Sequence, residues 1–156
     1  MTQTPSTRPT NAFVGASWAA LLVGSLAFGV GLWNARLALS EKGFYFTLLL
    51  YGLFAAVSLQ KSVRDRLEGI PVSGLYFALS WISVGAALVL LSTGLWNAEL
   101  ARSEKGFYAM AYALSLFSAV AVQKNVRDLE AAGPRLAPPA ESFPLLEEPY
   151  RVTPPR

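Results

Sequence analysis

Charged residues divide this chain into four long uncharged runs, and these runs constrain its fold more than any other feature. They occupy residues 9–35, 43–60, 69–98 and 106–123 and hold 27, 18, 30 and 18 residues. A helix needs about 20 mostly apolar residues to cross the roughly 30 Å hydrocarbon core of a bilayer. The runs therefore predict four transmembrane helices, near Phe13–Trp33, Phe44–Gln60, Leu75–Trp96 and Phe107–Gln123.

The chain also repeats itself. Residues 31–45 read GLWNARLALSEKGFY and residues 94–108 read GLWNAELARSEKGFY, with 13 of 15 positions identical. The same offset of 63 relates QKSVRD at 60–65 to QKNVRD at 123–128, which indicates duplication of one two-helix unit. Because each copy crosses the membrane twice, both copies have the same orientation. The sequence predicts an all-α integral membrane protein, with four transmembrane helices arranged as a parallel tandem repeat of two helical hairpins.

Domain boundaries follow from the repeat and from proline content. We expect a disordered N-terminal tail at 1–11, the first membrane repeat at 12–68, the second at 74–132 and a Pro-rich disordered tail at 133–156. Residues 134–156 contain seven prolines, and such a segment cannot bury enough apolar surface to fold. Ser25-Leu26-Ala27 resembles a signal-peptide cleavage site. We nevertheless expect the first helix to be retained, because its Trp18 has a partner in the second copy.

Lys and Arg counts predict the orientation. Near the membrane spans, seven lie on the side of the termini and the middle loop, against four in the other two loops. Cytoplasmic loops carry the excess of positive charge. Both termini are therefore expected in the cytoplasm.

The repeated turn supplies one set of candidate site residues. They are Trp33, Asn34, Glu41, Lys42 and Tyr45 in the first copy, and Trp96, Asn97, Glu104, Lys105 and Tyr108 in the second. Tryptophan and tyrosine favour the membrane boundary, and Ser40 and Ser103 are expected N-caps of the returning helices. Anchoring and capping explain every one of these residues. The alternative is a ligand site on the outer face, formed by the two Asn and the two Glu around the symmetry axis.

A second set lies at the opposite ends of the helices. Lys61, Arg64, Lys124 and Arg127 are candidates for contact with lipid headgroups. Lys61–Asp65 and Lys124–Asp128 have the spacing of helical ion pairs. Small residues at four-residue intervals also predict helix contacts. They are Ala12, Ala16, Ala20 and Gly24 in the first helix, and Ala111, Ser115 and Ala119 in the fourth.

Composition narrows the function. The chain contains no Cys and no His, so it lacks the thiolate and imidazole groups that serve most nucleophiles, general bases and zinc or haem sites. We expect no enzymatic activity, no cofactor and no nucleic-acid partner. The expected partners are the lipid bilayer and either a second copy or another membrane protein. A non-enzymatic role through protein or lipid contacts is preferred. A small channel or transporter is the alternative, although no predicted span carries an ionisable residue.

The paired motifs GLWNA, SEKGFY and QKxxRD resemble the YiaAB two-helix-domain family of bacterial inner-membrane proteins, over about residues 11–131. The resemblance implies a bacterial inner (plasma) membrane location and a four-helix topology, and it supplies no reaction. The Pro-rich tail lies outside the shared unit.

Overall fold

The computed structural model describes residues 8–133, which form four α-helices. These are α1 (Asn11–Asn34), α2 (Leu39–Leu67), α3 (Gly74–Asn97) and α4 (Arg102–Ala131). All four are long and apolar enough to cross a membrane, which agrees with the four predicted spans. The predicted disordered tails span 1–11 and 133–156, and their residues 1–7 and 134–156 lie outside the described residues. At the start of α1 the prediction extended too far, because Thr10 is the N-cap of the helix and Asn11 is its first residue.

The returning helices are much longer than the uncharged runs inside them. α2 has 29 residues and α4 has 30, so each extends about 43–45 Å at 1.5 Å per residue. A bilayer with its headgroup regions is about 40–45 Å thick. The charges therefore mark where α2 and α4 leave the hydrocarbon, and the helices continue beyond them.

The helix starts differ from the expected serine caps. α2 begins at Leu39 with Ala38 as its N-cap residue, so Ser40 lies inside the first turn. Glu41 takes over the cap, because its Oε2 accepts a hydrogen bond from the Ala38 N–H at 2.7 Å. Glu104 does the same for Ala101 at 2.8 Å. The prediction of serine N-caps was wrong in both copies, since glutamate at the third helical position satisfies the N-cap amide instead.

A glycine follows the end of α2. Gly69 has φ 74°, a backbone region that glycine adopts without strain. Its N–H donates to the carbonyl of Arg66 at 3.2 Å, and the N–H of Ile70 donates to that of Asp65 at 2.8 Å. These two bonds form a Schellman motif, which satisfies the last carbonyls of the helix.

Helices pack between the two copies of the repeat rather than within each copy. α1 lies along α4, α3 lies along α2, and α2 and α4 pack against each other at the centre. The two helices of one copy touch each other far less. Within each copy a short loop connects the two helices, as predicted, but each helix packs mainly against a helix of the other copy.

Small side chains allow the closest of these approaches. A Cβ atom on Gly24 of α1 would lie 2.8 Å from Oγ of Ser115 on α4, so glycine lets the two backbones meet. Ala111, Ser115 and Ala119 are buried as expected. Ala12 and Ala16 are exposed, however, and their predicted helix contact was wrong.

Candidate functional site

The loops that join α1 to α2 and α3 to α4 lie at one end of the bundle, the turn end (residues 31–45 and 94–108). Each loop is closed by a lysine that reaches back to the preceding helix. Lys42 Nζ donates to the carbonyl of Trp33 at 2.8 Å, and Lys105 Nζ donates to that of Trp96 at 3.1 Å. A cation near the last carbonyls of a helix is favourable, because the C-terminus carries partial negative charge.

The asparagines of the turn also bond within their own helices. Asn34 Nδ2 donates to the carbonyl of Val30 at 2.8 Å, and Asn97 Nδ2 donates to that of Thr93 at 2.7 Å. These bonds make the two asparagines caps of backbone carbonyls at the ends of α1 and α3. Together with the glutamate caps, these bonds engage every charged or amide side chain of the candidate set in shaping the turn.

The tryptophans of the turn end remain free on its surface. The side chains of Trp33 and Trp96 are 82% and 85% exposed. The tyrosines behave in the opposite way, because Tyr45 and Tyr108 are buried. Their rings stack across the two copies, with centroids 6.5 Å apart and planes inclined by 16°. The ten turn residues therefore divide into a buried aromatic pair, a hydrogen-bonded frame and two exposed indoles.

Two equivalent open pockets lie at the turn end, with volumes of about 320 and 310 Å³. One is lined by Gly31, Asn34, Ala35, Ser103, Glu104, Phe107 and Tyr108. The other is lined by the same positions of the opposite copies, Gly94, Asn97, Ala98, Ser40, Glu41, Phe44 and Tyr45. Each pocket combines the end of an outgoing helix with the start of a returning helix from the other copy.

The packing of helices between copies decides this pairing. The sequence suggested one site in which both asparagines and both glutamates surround the axis. The structure instead places Asn34 with Glu104 in one pocket and Asn97 with Glu41 in the other. Any ligand at this end would meet one amide and one carboxylate per pocket, and the chain would offer two such positions.

The other end of the bundle, the charged end (residues 60–68 and 123–131), is held by ion pairs. Lys61–Asp65 and Lys124–Asp128 each have an N–O distance of 2.9 Å, which confirms the two helical pairs predicted from their spacing. The lysine side chains are 59% and 60% exposed, so their ammonium groups stay accessible from outside the bundle.

The arginines of the charged end form bonds between the two copies. Arg64 on α2 lies 3.4 Å from Asp128 on α4, and Arg127 on α4 lies 3.3 Å from Asp65 on α2. Arg127 also pairs with Glu68. The sequence did not predict these crossed pairs. The repeated VRD segment could have predicted them, because identical segments on two parallel neighbouring helices place each arginine beside the other copy's aspartate. Headgroup contact by the four cations stays a prediction.

At the charged end, a buried amide links the first part of α1 to the last part of α4. This link was not predicted from the sequence. Asn125 is fully buried, and its Nδ2 donates to Oγ of Ser17 at 2.9 Å. Its counterpart in the first copy is Ser62, also fully buried, which bonds only to its own helix through the carbonyl of Leu59 at 2.9 Å. The polar link between an outgoing and a returning helix is therefore present on one flank of the bundle.

Residues 8–133 contain no group of three or more His, Cys, Asp or Glu side chains that could hold a metal ion. Glu41 and Glu104 are occupied in caps at the turn end, and Asp65 and Asp128 are occupied in ion pairs at the charged end. What this arrangement offers chemically is recognition by hydrogen bonding, charge and aromatic surface.

Comparisons with known proteins match both copies of the repeat. The family model described as the yiaA/B two helix domain matches residues 13–65 and again residues 76–128. Inner membrane protein YiaA of Escherichia coli (strain K12) is 50% identical to this chain over 137 residues, which cover 88% of this chain and 91% of that protein. No solved structure matches the chain significantly. The two matched segments stand 63 residues apart, which is the offset of the internal repeat.

Proposed function

This chain belongs to the yiaA/B two-helix-domain family, and on that premise we propose that it is a non-enzymatic inner-membrane protein that acts through contacts made at its turn end. An inner-membrane location is supported by the name of its Escherichia coli relative and by the four apolar helices. The excess of Lys and Arg at the charged end supports a cytoplasmic location for both termini.

One observation carries the proposal. Trp33 and Trp96 are 82% and 85% exposed, while the polar side chains around them are used to build the turn. Exposed tryptophans next to a rigid frame are typical of the anchors that dominate protein–protein contacts. The duplication presents two such anchors, each beside an open pocket that contains an amide and a carboxylate.

The non-enzymatic part of the proposal rests on the chemistry of the side chains. Catalysis of proton or group transfer needs an activated nucleophile, acid or base within reach of a substrate. Glu41 and Glu104 are exposed and hold the N-cap amides of their helices. Neither shares its pocket with a second carboxylate or with a lysine, so no activated pair is formed there.

Photo-crosslinking in intact membranes tests the contact. A photoreactive phenylalanine at position 33 or 96 is expected to give an adduct with the same protein, identified by mass spectrometry. The same probe at position 18 is the control, because Trp18 lies far from the turn end in α1 and is also exposed, at 46%. Adducts with lipid alone, or an equal set of adducts from all three positions, would show that the tryptophans act only as a membrane belt.

The channel or transporter alternative has less support. Phe28, Tyr108 and Tyr112 are buried in the core of the bundle. The ring centroid of Phe28 lies 5.4 Å from that of Tyr108 and 6.0 Å from that of Tyr112. A pore inside a single chain would have to displace them, so transport would require an assembly of several copies. Flux of ions through proteoliposomes that depends on the protein would support this alternative and contradict a purely contact-based role.

A further inference from the structure

An apolar groove runs along the flank of the bundle where α3 and α4 diverge, with α2 as its floor. Its volume is about 480 Å³. It is lined by Ala56, Leu59, Gln60 and Val63 of α2, Trp81, Val84 and Leu88 of α3, and Ala113, Leu116, Phe117 and Val120 of α4. The groove lies in the part of these helices that is apolar enough to cross the membrane. In a bilayer it must therefore be filled by lipid or by protein.

The chemistry of the lining suits a lipid chain. Ten of its eleven side chains are apolar and Gln60 is the exception. From Ala56 to Val63 the floor extends about 10 Å along a helix, so an extended acyl chain would meet apolar side chains over this length.

A cation stands at the end of the groove nearest the charged end. Arg66 is three residues beyond Val63, and Phe77 is four residues before Trp81, so both continue the lining faces by one helical turn. The guanidinium carbon of Arg66 lies 3.9 Å from the centroid of the Phe77 ring. Within residues 8–133, Arg66 forms no ion pair. Its donors are therefore available for a phosphate, which a guanidinium binds through paired hydrogen bonds.

The repeat-related flank has different residues at the position of the arginine and at one position of the groove lining. Offset by 63 residues, Arg66 corresponds to Leu129 and Ala113 corresponds to Leu50. The cation is thus absent from the repeat-related position, and a larger side chain stands where the groove has alanine. The duplication therefore allows a comparison between a flank that has both the arginine and the alanine and a flank that has neither.

We propose that the groove binds one acyl chain of an anionic glycerophospholipid, with the phosphate held by Arg66. The inference concerns a different end of the molecule from the turn-end contact and does not depend on it.

Tryptophan fluorescence tests the site directly. Trp81 lines the groove and Trp18 is its repeat-related partner, with exposures of 54% and 46%. Two single-tryptophan proteins, each keeping one of these residues with the other three replaced by phenylalanine, are reconstituted in vesicles of dibrominated phosphatidylglycerol or dibrominated phosphatidylcholine. Trp81 is expected to be quenched at about fivefold lower mole fraction of the phosphatidylglycerol, the factor for about 1 kcal/mol per basic group at the membrane surface.

Arg66→Gln should remove that preference at Trp81. Arg8→Gln, which deletes an equal charge from the segment before α1, should leave it intact. Trp18 should show no preference for either lipid. Equal quenching of Trp81 by both lipids in the unaltered protein would overturn the proposal, since it would mean that only bulk lipid meets the groove.

A second measurement addresses occupancy. Native mass spectrometry of the detergent-purified full chain should detect one retained phospholipid, which its mass distinguishes from a free fatty acid. Ala113→Phe should fill the groove and lose the lipid, while the matched Leu50→Phe on the other flank should keep it. Equal retention by both variants, or a protein adduct from a photoreactive residue at Leu88, would assign the groove to another occupant. Circular dichroism checks that both variants fold. The tryptophan fluorescence measurement does not use these variants, so it tests the proposal even if they do not fold.

Discussion

The hydroxyl of Tyr112 on α4 donates a hydrogen bond to the backbone carbonyl of Leu48 on α2 at 3.2 Å. That carbonyl belongs to a helix, and a carbonyl oxygen has a second lone pair available for such a bond. The hydroxyl reaches it because Gly52, one turn further along α2, has no side chain. A Cβ atom on Gly52 would lie 1.9 Å from the phenol oxygen. The bond between the two central helices thus depends on one glycine.

Gly52→Ala should therefore destabilise the bundle. The added methyl group must push Tyr112 out of a fully packed position, and overpacking of this kind costs about 1–3 kcal/mol. Thermal unfolding in detergent, followed by circular dichroism, measures the loss. Gly43→Ala is the matched control in the same helix, because no atom lies within 4 Å of its added Cβ. An equal melting temperature for the two variants would contradict the close contact.

The crossed pair Asp65–Arg127 should show an energetic coupling between the copies. Asp65 is almost buried, with a side-chain exposure of 10%, and Arg127 is exposed to 32%. A double-mutant cycle with Asp65→Asn and Arg127→Gln should give a coupling of about 0.5–1 kcal/mol that decreases with added salt. The cycle for the more exposed Lys124–Asp128 pair serves as comparison and should give less. A zero coupling for the first cycle would mean that the crossed pairs do not hold α2 to α4.

Asn125 should contribute more to stability than its repeat partner Ser62. Asn125→Ala removes the hydrogen bond to Ser17 of α1, and a lost bond of this kind costs about 1–2 kcal/mol when the partner stays buried. Ser62→Ala removes only a bond to the carbonyl of its own helix and should cost less. Unfolding of both variants by increasing fractions of sodium dodecyl sulfate in mixed micelles makes the comparison. The reverse order would show that the contact between α1 and α4 does not depend on this amide.

The proposed orientation can be measured with reporter fusions. Fusions after Leu67 and after the C-terminus should report the cytoplasm, and a fusion after Leu37 should report the periplasm. The cause is the excess of Lys and Arg beside the spans at the charged end. Replacing Lys61, Arg64 and Arg66 together should weaken this preference, whereas replacing Arg36 and Lys42 should strengthen it. The opposite pattern of reporter activity would invert the topology.

The ion pairs within α2 and within α4 at the charged end could be predicted from the sequence because they are local. Lys61 and Asp65 are four residues apart and therefore had to meet on any helix, and the spacing of charges located every span. At the turn end, local reasoning was less successful. The cap was misplaced for a reason that is also local. Two candidate groups, Ser40 and Glu41, compete for the start of α2, and only the backbone geometry shows which one reaches the free amide.

The sequence by itself determined four membrane-spanning helices, their duplication and the parallel orientation of the two copies, because hydrophobic length and an even number of crossings leave no other arrangement. Only the tertiary structure decided which helices touch. Packing of α1 on α4, and of α3 on α2, depends on how small residues such as Gly24 and Gly52 accept the side chains opposite them, and that complementarity is a property of two surfaces together. This packing divided the residues of the alternative axial site between two pockets and joined Arg127 to Asp65. It also left the groove beside Trp81, between α3 and α4.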